Sequence, residues 1–434
     1  MSSADATLQA HAAQLWDQGR RAEAIETFTA LQAHQPDNID LALRLGIALM
    51  QVGRMVEAVR LMEPIAARAD HAHPVHDWLG RALATVLWYE HGPDAIAGLR
   101  ERMTADPTNS ARHTALAFAL LSCGQFDEAW PHYAWRWHRM PTAHRAPAEP
   151  LRRPDPASWR GRRVLLFAEQ GLGDALQFLR YVPLAMAAGA EVTVEVYPPL
   201  RRLAESLPGH PRVMAVGDPT PPHDIAVPLM HLPWAFATIP SAVPYLHADP
   251  SAVAIWRARL DALPGRKIGL IWSGDPRPDH AMSYRVDRRR SLPLAALAPL
   301  ARIPGVTFIS LQKGAGAAQT ATLPPGMAVH DWTAELADFA DTAALMQALD
   351  LVISADTSPL HLAGALGRPV WLLDRYDSCW RWLRERDDSP WYPTLRRFRQ
   401  PHPGDWATVI AAVAAALTQA AATAPAPGSA RLPS

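Results

Sequence analysis

Two short segments of this sequence carry groups suited to moving a proton and holding an anion. The first is Gly171-Leu172-Gly173-Asp174. Two glycines there permit a tight turn and close backbone approach, leaving Asp174 and the amides of a following helix aimed into a cleft. A carboxylate so placed can take the proton of an attacking hydroxyl. The plainer reading is a helix N-cap aspartate beside packing glycines, and spacing alone does not choose between the two. The second segment is Asp356-Thr357-Ser358-Pro359-Leu360-His361. Ser358 is expected to cap a helix whose first turn accepts Pro359, and the unpaired amides at that end favour an anion such as a diphosphate. His361, about one helical turn in, can reach the same anion or serve as a satisfied structural histidine.

A third stretch, Ser273 to Ser291, reads as a long loop that holds Arg285, Arg288, Arg289 and Arg290. Forked guanidinium donors can clamp a pyrophosphate; a solvated basic loop is the alternative. Gln312 and Lys313 close a strand and could touch a nucleotide's ribose, base or phosphate. Trp380, Trp382, Trp391 and Tyr392 can stack on a sugar or base, or pack between domains. Asp70, His71, His73, His76 and Asp77 are metal-ligand types, yet Pro74 interrupts helical pairing of the histidines, and a solvated turn also accounts for them. Cys379 has no His/Asp constellation in sequence view, so no nucleophile is expected there. A Walker-type Gly-Lys-Ser/Thr loop, a Cys-x-x-Cys pair and a His-Glu-x-x-His motif are all missing.

The elements that must hold these residues alternate. Strands are expected at Val164 to Ala168, Glu191 to Tyr197, Arg212 to Val216 and Asp224 to Pro228, with helices at Ala175 to Ala188 and Leu200 to Leu207. A second set follows, with strands at Ile268 to Trp272, Val306 to Leu311, Leu351 to Ser354 and Val370 to Leu373. Its helices fit Pro293 to Ala301, Thr342 to Ala348 and Pro359 to Leu366. Such alternation makes parallel sheets, and two consecutive sets predict two Rossmann-like lobes facing a cleft. Ligands in these sheets lie beyond the carboxyl ends of strands, which is where the candidate residues fall.

Ahead of the lobes the sequence repeats. Ala12, Gly46, Gly80 and Ala117 are spaced by 34, 34 and 37 residues, and Ala24, Ala58, Ala95 and Ala129 by 34, 37 and 34. Phe28, Met62, Leu99 and Tyr133 keep the second spacing, as do Pro36, Asp70, Pro107 and Pro141. The three-residue excess falls near His91-Gly92-Pro93. A small residue on one helix and a large one on its partner let paired helices approach and fill the groove, and proline stops the unit. Such arrays recognise peptides or proteins.

Over 434 residues, 49% are hydrophobic and 19% charged, a globular composition with room for two or three domains. Lys+Arg and Asp+Glu are equal at 42 each, so no net field points to nucleic acid and any anion site is local. Two cysteines suit a reducing, cytoplasmic setting, and the first residues lack the pattern of a signal peptide. The apolar run from Trp406 to Ala422 is mostly alanine and reads as a closing helix, with no transmembrane segment expected. The Pro-rich end reads as a disordered tail.

The motifs together resemble a known group. Gly171-Leu172-Gly173-Asp174, Gln177-Phe178-Leu179-Arg180-Tyr181 and Asp356-Thr357 through His361-Leu362-Ala363-Gly364-Ala365-Leu366-Gly367 resemble bacterial tetratricopeptide-containing glycosyltransferases. These are related to the heptosyltransferase group, glycosyltransferase family 9, with its GT-B fold. Asp388-Ser389-Pro390-Trp391-Tyr392-Pro393-Thr394 is similar to the repeat-containing branch, and the likeness runs from about Leu8 to Val409. It implies an α plus α/β chain: four tetratricopeptide repeats at 5–143, a linker at 144–162, an acceptor-side lobe at 163–260, a donor-side lobe at 261–420 and a tail at 421–434.

By the same resemblance Asp174 is the general base, Asp356, Thr357 and His361 bind the donor diphosphate, and Ser273 and Gly274 form the donor-phosphate loop. Arg289 or Arg290 is the basic residue near it. The implied co-substrate is a nucleotide-diphosphate sugar, with no cofactor and no metal. Lipid-core heptosyltransferases carry no repeat array, so a protein-linked or protein-docked acceptor is expected. Other classes consistent with the residues are an inactive transferase-like scaffold and a sugar-nucleotide epimerase.

Overall fold

A computed structural model describes residues 3–52, 54–70, 73–76, 78–80, 82–83, 95–139, 144–277 and 281–422. The turn at His91-Gly92-Pro93, Pro141, His71, Asp77 and residues 423–434 lie outside them. The chain divides into two compact units. One takes in the chain up to Pro154 with Pro233–Ala237 and Cys379–Arg384; the other holds Asp155–Leu232, Thr238–Ser378 and the chain from Glu385.

The first unit is built of helix pairs: α1 (Ser3–Asp17) on α2 (Arg21–His34), α3 (Ile39–Gln51) on α4 (Met55–Ala66), then α5 (Ala95–Ala105), and α6 (Ser110–Ser122) on α7 (Phe126–Ala134). Ala12, Ala24, Ala58, Ala117 and Ala129 are fully buried. The small-against-large logic is clearest at Gly46, where an added Cβ would lie 2.6 Å from the Met62 sulfur. Asn38 starts α3 by accepting the Leu41 amide at 3.1 Å. Trp380 joins this unit edge-on to Trp130, with ring centroids 5.7 Å apart, so it is a packing residue and not a stacking platform for a ligand.

In the last helix pair His113 Nδ1 lies 2.7 Å from His132 Nδ1, while His113 Nε2 lies 2.8 Å from the Pro107 carbonyl. A carbonyl only accepts, so His113 carries its proton on Nε2 and receives the His132 Nδ1–H. Trp135 stacks on His113 at 3.9 Å. Burial, with the neighbouring His113 adding to it, pushes His132 down to about 4, and burial lowers His113 as well. His73 faces Asp40 of α3 at 3.3 Å, and His76 faces the Asp70 carbonyl in the turn before it at 3.0 Å.

The second unit holds two parallel sheets. The first runs in the order β3 (Arg212–Ala215), β2 (Glu191–Val196), β1 (Arg163–Phe167), β4 (Ile225–Pro228). Helix α8 (Leu172–Phe178) follows β1, and α9 (Pro250–Asp261) leads into the second lobe. That lobe's sheet is ordered β10 (Leu395–Arg399), β9 (Val370–Asp374), β8 (Leu351–Ala355), β5 (Arg266–Ile271), β6 (Val306–Ser310), β7 (Val329–Asp331). Its helices include α10 (Ala281–Arg290), α11 (Phe339–Gln347), α12 (Ser358–Ala365) and α13 (Trp406–Ala422). Ile268, Leu270, Leu351, Ile353 and Leu373 on the strands and Val409, Ile410, Val413 and Leu417 on α13 share one apolar core. No described helix is long and apolar enough to cross a membrane.

Several elements depart from expectation. The segment from Ser273 to Ser291 is not all loop, because α10 occupies its second half, where no Gly or Pro interrupts an arginine-rich, helix-favouring run. The helix expected from Ala175 to Ala188 breaks into α8, a 3₁₀ turn at Leu179–Tyr181 and a short helix at Val182–Ala187, since Pro183 cannot donate to the preceding turn. Pro299 likewise leaves Leu294–Arg302 as 3₁₀ helix, and the helix expected at Leu200 to Leu207 is regular only over Arg201–Ala204. The edge strands β7 and β10, and α9, were not expected. β10 hides its strand pattern behind Arg396, Arg397 and Arg399.

The His113–His132 pair gives a signed prediction. Both folded values lie below that of free imidazole, so the pair's contribution is present above about pH 6.5 and lost as the pH falls towards about 4. Melting of the full chain between pH 7 and 4 should fall more steeply for the wild type than for His132→Gln. Parallel curves would show that the pair does not titrate with unfolding.

Candidate functional site

In order of sequence the six-stranded sheet runs 3-2-1-4-5-6, with its direction of winding reversing between β5 and β8. Outside the carboxyl ends of strands at such a reversal, neighbouring loops part and leave a crevice. Trp272-Ser273-Gly274 leaves β5 at this point and Asp356-Thr357 leaves β8, so the topology brings these two predicted segments side by side.

Their contacts join them. Arg290, at the end of α10, donates to the Asp356 carbonyl at 2.9 Å and to Asp287 at 3.0 Å. Asp287 also accepts from Ser291, whose hydroxyl receives the Gly274 amide at 3.0 Å. A Cβ on Gly274 would lie 2.0 Å from the Asp287 carboxylate and 2.5 Å from the Arg290 guanidinium, so only glycine fits. Gly316 packs as closely on Ser273, where an added Cβ would be 2.0 Å from the hydroxyl. That hydroxyl is buried and makes no hydrogen bond among the described residues.

Helix α12 begins at Ser358 with Thr357 as its N-cap residue, correcting the expectation that Ser358 caps it. The Thr357 hydroxyl turns back to the Ala355 carbonyl at 3.4 Å and no side chain caps the first amides. Three other candidates stand apart. Gln312 is nearly inaccessible: its carbonyl oxygen accepts the Trp272 and Ser273 amides at 3.0 and 2.8 Å, and its nitrogen donates to the Lys313 carbonyl. It therefore buttresses the β5 turn and does not present a group to a ligand. The Lys313 ammonium lies on the Thr333 and Leu336 carbonyls. Arg289 pairs with Asp377, which also meets Arg375 at 3.3 Å. The side chain of Arg285 lies outside the described residues.

On the first lobe Asp174 is the third residue of α8, and one of its oxygens accepts the Gly171 amide at 2.8 Å. The glycines divide in role. Gly171 has an ordinary extended backbone (φ −86°), so no tight left-handed turn is made, and its Cβ would meet only Asp174. Gly173 is the one required by close approach: its Cβ would lie 2.8 Å from His361 Cδ2 and 3.4 Å from Ser358 Cα. The missing side chain at Gly173 lets α8 of the first lobe rest on α12 of the second, and sets Asp174 beside the start of α12.

Arg180 and Tyr392 stand behind this contact. The fully buried Arg180 donates to the Gln177, Pro240 and Trp391 carbonyls and to the Tyr245 hydroxyl, at 2.8, 3.1, 2.6 and 3.1 Å. Its guanidinium lies over the rings of Tyr392, Tyr245 and Trp391. The Tyr392 hydroxyl is 2.9 Å from His361 Nδ1. Trp391 and Tyr392 are thus core residues, and the sequence signal for Arg180 was its place in the Gln177–Tyr181 motif. Among the described residues no three His, Cys, Asp or Glu side chains come together as metal ligands.

Two segments of the chain match known families. Residues 15–78 match the tetratricopeptide repeat, and residues 306–373 match glycosyltransferase family 9 (heptosyltransferase). The chain carries tetratricopeptide repeats and a glycosyltransferase family 9 domain. The second lobe, which holds the family 9 match, is that of a glycosyltransferase. The family match contains Asp356, Thr357, Ser358 and His361, but neither Asp174 nor Ser273. Protein FlbA of Caulobacter vibrioides is 29% identical over 440 residues, covering 93% of this chain and 71% of that protein. Among solved structures, a family 9 glycosyltransferase from Veillonella parvula is 12% identical with a TM-score of 0.42, covering 56% of this chain and 87% of its own. The ADP-heptose lipopolysaccharide heptosyltransferase II of E. coli is 14% identical with a TM-score of 0.42, covering 59% and 99%.

The unequal glycines make a paired prediction. Gly173→Ala should destabilise the glycosyltransferase by about 1–3 kcal/mol through overpacking and lower its transfer rate, whereas Gly171→Ala should change both little. Urea denaturation and activity measured on both variants check this, and equal effects would contradict the close approach.

Proposed function

We propose that the chain transfers a hexose or heptose from a nucleotide-diphosphate sugar to an acceptor hydroxyl that is protein-linked or protein-docked, without a metal or other cofactor. The observation carrying this reading is the packing of Gly173 on His361 and Ser358, which holds a carboxylate beside an uncapped helix start. The donor diphosphate would lie across Ser273 and Gly274 and the first amides of α12, with Thr357 and His361 beside it. Arg290 is fixed at the rim through Asp287 and the Asp356 carbonyl, where its charge opposes that of the leaving diphosphate. Arg289 is set back on Asp377 and adds to the local positive field.

Asp174 then takes the acceptor hydroxyl proton as that oxygen bonds to the anomeric carbon. The bond from the anomeric carbon to the diphosphate oxygen breaks, and its electron pair leaves with the nucleoside diphosphate. The half-buried Asp174 has its orientation set by the Gly171 amide, which suits a base that must meet a hydroxyl in one position. The helical repeats support a protein or peptide partner, because their design is small-against-large packing beneath a recognition surface. Two cysteines in 434 residues suit cytoplasmic work.

Melting of the purified chain against a panel of nucleoside diphosphates and their sugars tests the donor. One base should stabilise selectively, by about 2.7 kcal/mol at a hundredfold excess over its dissociation constant. No shift with any of them in a folded chain would favour the scaffold class. Asp174→Asn keeps an oxygen for the Gly171 amide, so it should retain nucleotide binding and lose transfer by about 10²- to 10⁴-fold. Weakened donor binding in that variant would remove Asp174 from the role of base.

A further inference from the structure

Tyr392 lies between a buried cation and the histidine at the lobe contact. Arg180 stands over its ring, 4.7 Å from the centroid, and its hydroxyl is 2.9 Å from His361 Nδ1. The ring cannot move aside: a Cβ on Gly364 would be 2.3, 2.5 and 2.7 Å from three of its carbons, and the residue is fully buried. His361 is buried too, and the Cδ2–Nε2 edge of its ring faces Gly173.

Two physical arguments fix the direction of the hydroxyl–imidazole bond. A guanidinium over a phenol ring draws electron density towards itself and strengthens the phenol as a donor. The same buried charge disfavours an imidazolium a few ångströms further on, because like charges interact strongly in a poorly solvated site. A neutral His361 accepting at Nδ1 must carry its proton on Nε2.

We infer that Tyr392 is a positioning residue for transfer: its hydroxyl donates to His361 Nδ1 and holds the imidazole as the Nε2–H tautomer, making His361 a neutral hydrogen-bond donor to the diphosphate at the start of α12. This rests on the donor site proposed above. Arg180 contributes from the other side, because its bonds to the Pro240 and Trp391 carbonyls and to Tyr245 hold the first-lobe helix, the segment joining the lobes and the Tyr392 loop together. One buried cation thus sets both the lobe contact and the proton position on His361.

The test is nitrogen NMR of the His361 ring in the full chain at pH 7.5, assigned by loss of its signals in His361→Gln, with titration of the panel of nucleoside diphosphates. In the wild type Nδ1 should be unprotonated and Nε2 protonated. Tyr392→Phe keeps the ring in its socket, so it should mix the two tautomers and weaken the selected nucleoside diphosphate by about tenfold, the scale of one hydrogen bond to a charged group. A wild-type Nδ1–H overturns the inference, and needs no variant to fold. An unchanged tautomer in a folded Tyr392→Phe overturns it as well. Wild-type protein that binds none of the diphosphates overturns the donor site and Tyr392's place in it, whichever nitrogen carries the proton.

Discussion

The absence of a side chain at Gly173 is the constraint on which the candidate site turns. Helix α8 belongs to one sheet and α12 to another, and a methyl group between them would run into His361 and the Ser358 backbone. Interiors pack to crystal-like density, so an obstruction of that size moves helices and does not merely crowd them. With no Cβ there, the loop after β1 and the helix after β8 share one crevice wall. The second-lobe glycines follow the same rule: Gly274 gives way to Asp287 and Arg290, and Gly316 to Ser273. Close backbone approach, not left-handed backbone, is what these positions require.

The buried and half-buried arginines of the second lobe are held by carboxylates. Arg290 is held by Asp287, Arg289 and Arg375 share Asp377, and the buried Arg397 meets the buried Asp374 at 2.7 Å. A buried guanidinium without a partner would be costly, and each carboxylate fixes the direction in which its arginine points. Arg290 still has the Asp356 carbonyl in reach, so it ties the ends of two strands at the topological reversal. Where two arginines share one carboxylate, as at Asp377, the excess positive charge stays local in a chain with no net charge.

Much of this was legible in the sequence because its signals are short-range. The small-large series at Ala12, Gly46 and Met62 reported helix pairing directly, and the apolar runs at Val164 and Leu351 became buried parallel strands. Reading Asp356 to His361 as a helix start succeeded for the same reason, save that Thr357 takes the cap position. What escaped was tertiary. Nothing in the local pattern around Gln312 says that its amide is consumed by the end of β5. The run at Arg288, Arg289 and Arg290 resembles a solvated loop until Asp287 and Asp377 are seen to meet it. Stacking and packing both stayed open for Trp391 and Tyr392, because a fully buried aromatic and an exposed one are the same letter.

The loop that carries Asp174, the base proposed above, is held from two sides. From below, the Tyr197 hydroxyl donates to the Gln170 carbonyl. Burial, reinforced by the negative charges of Asp174 and Glu169, pushes that phenol up to about 12, so it remains a donor throughout the physiological range. From across the lobe contact, His361 and Ser358 limit where Gly173 can sit. A loop fixed at Gln170 and at Gly173 leaves Asp174 little room, and the Gly171 amide takes one of its oxygens. The carboxylate's orientation is thereby set by the fold itself, the condition under which the proposed base would contribute most to a transition state. On the proposed reading acceptor choice falls on groups outside this loop, since a carboxylate held so firmly cannot adjust to hydroxyls presented in different positions.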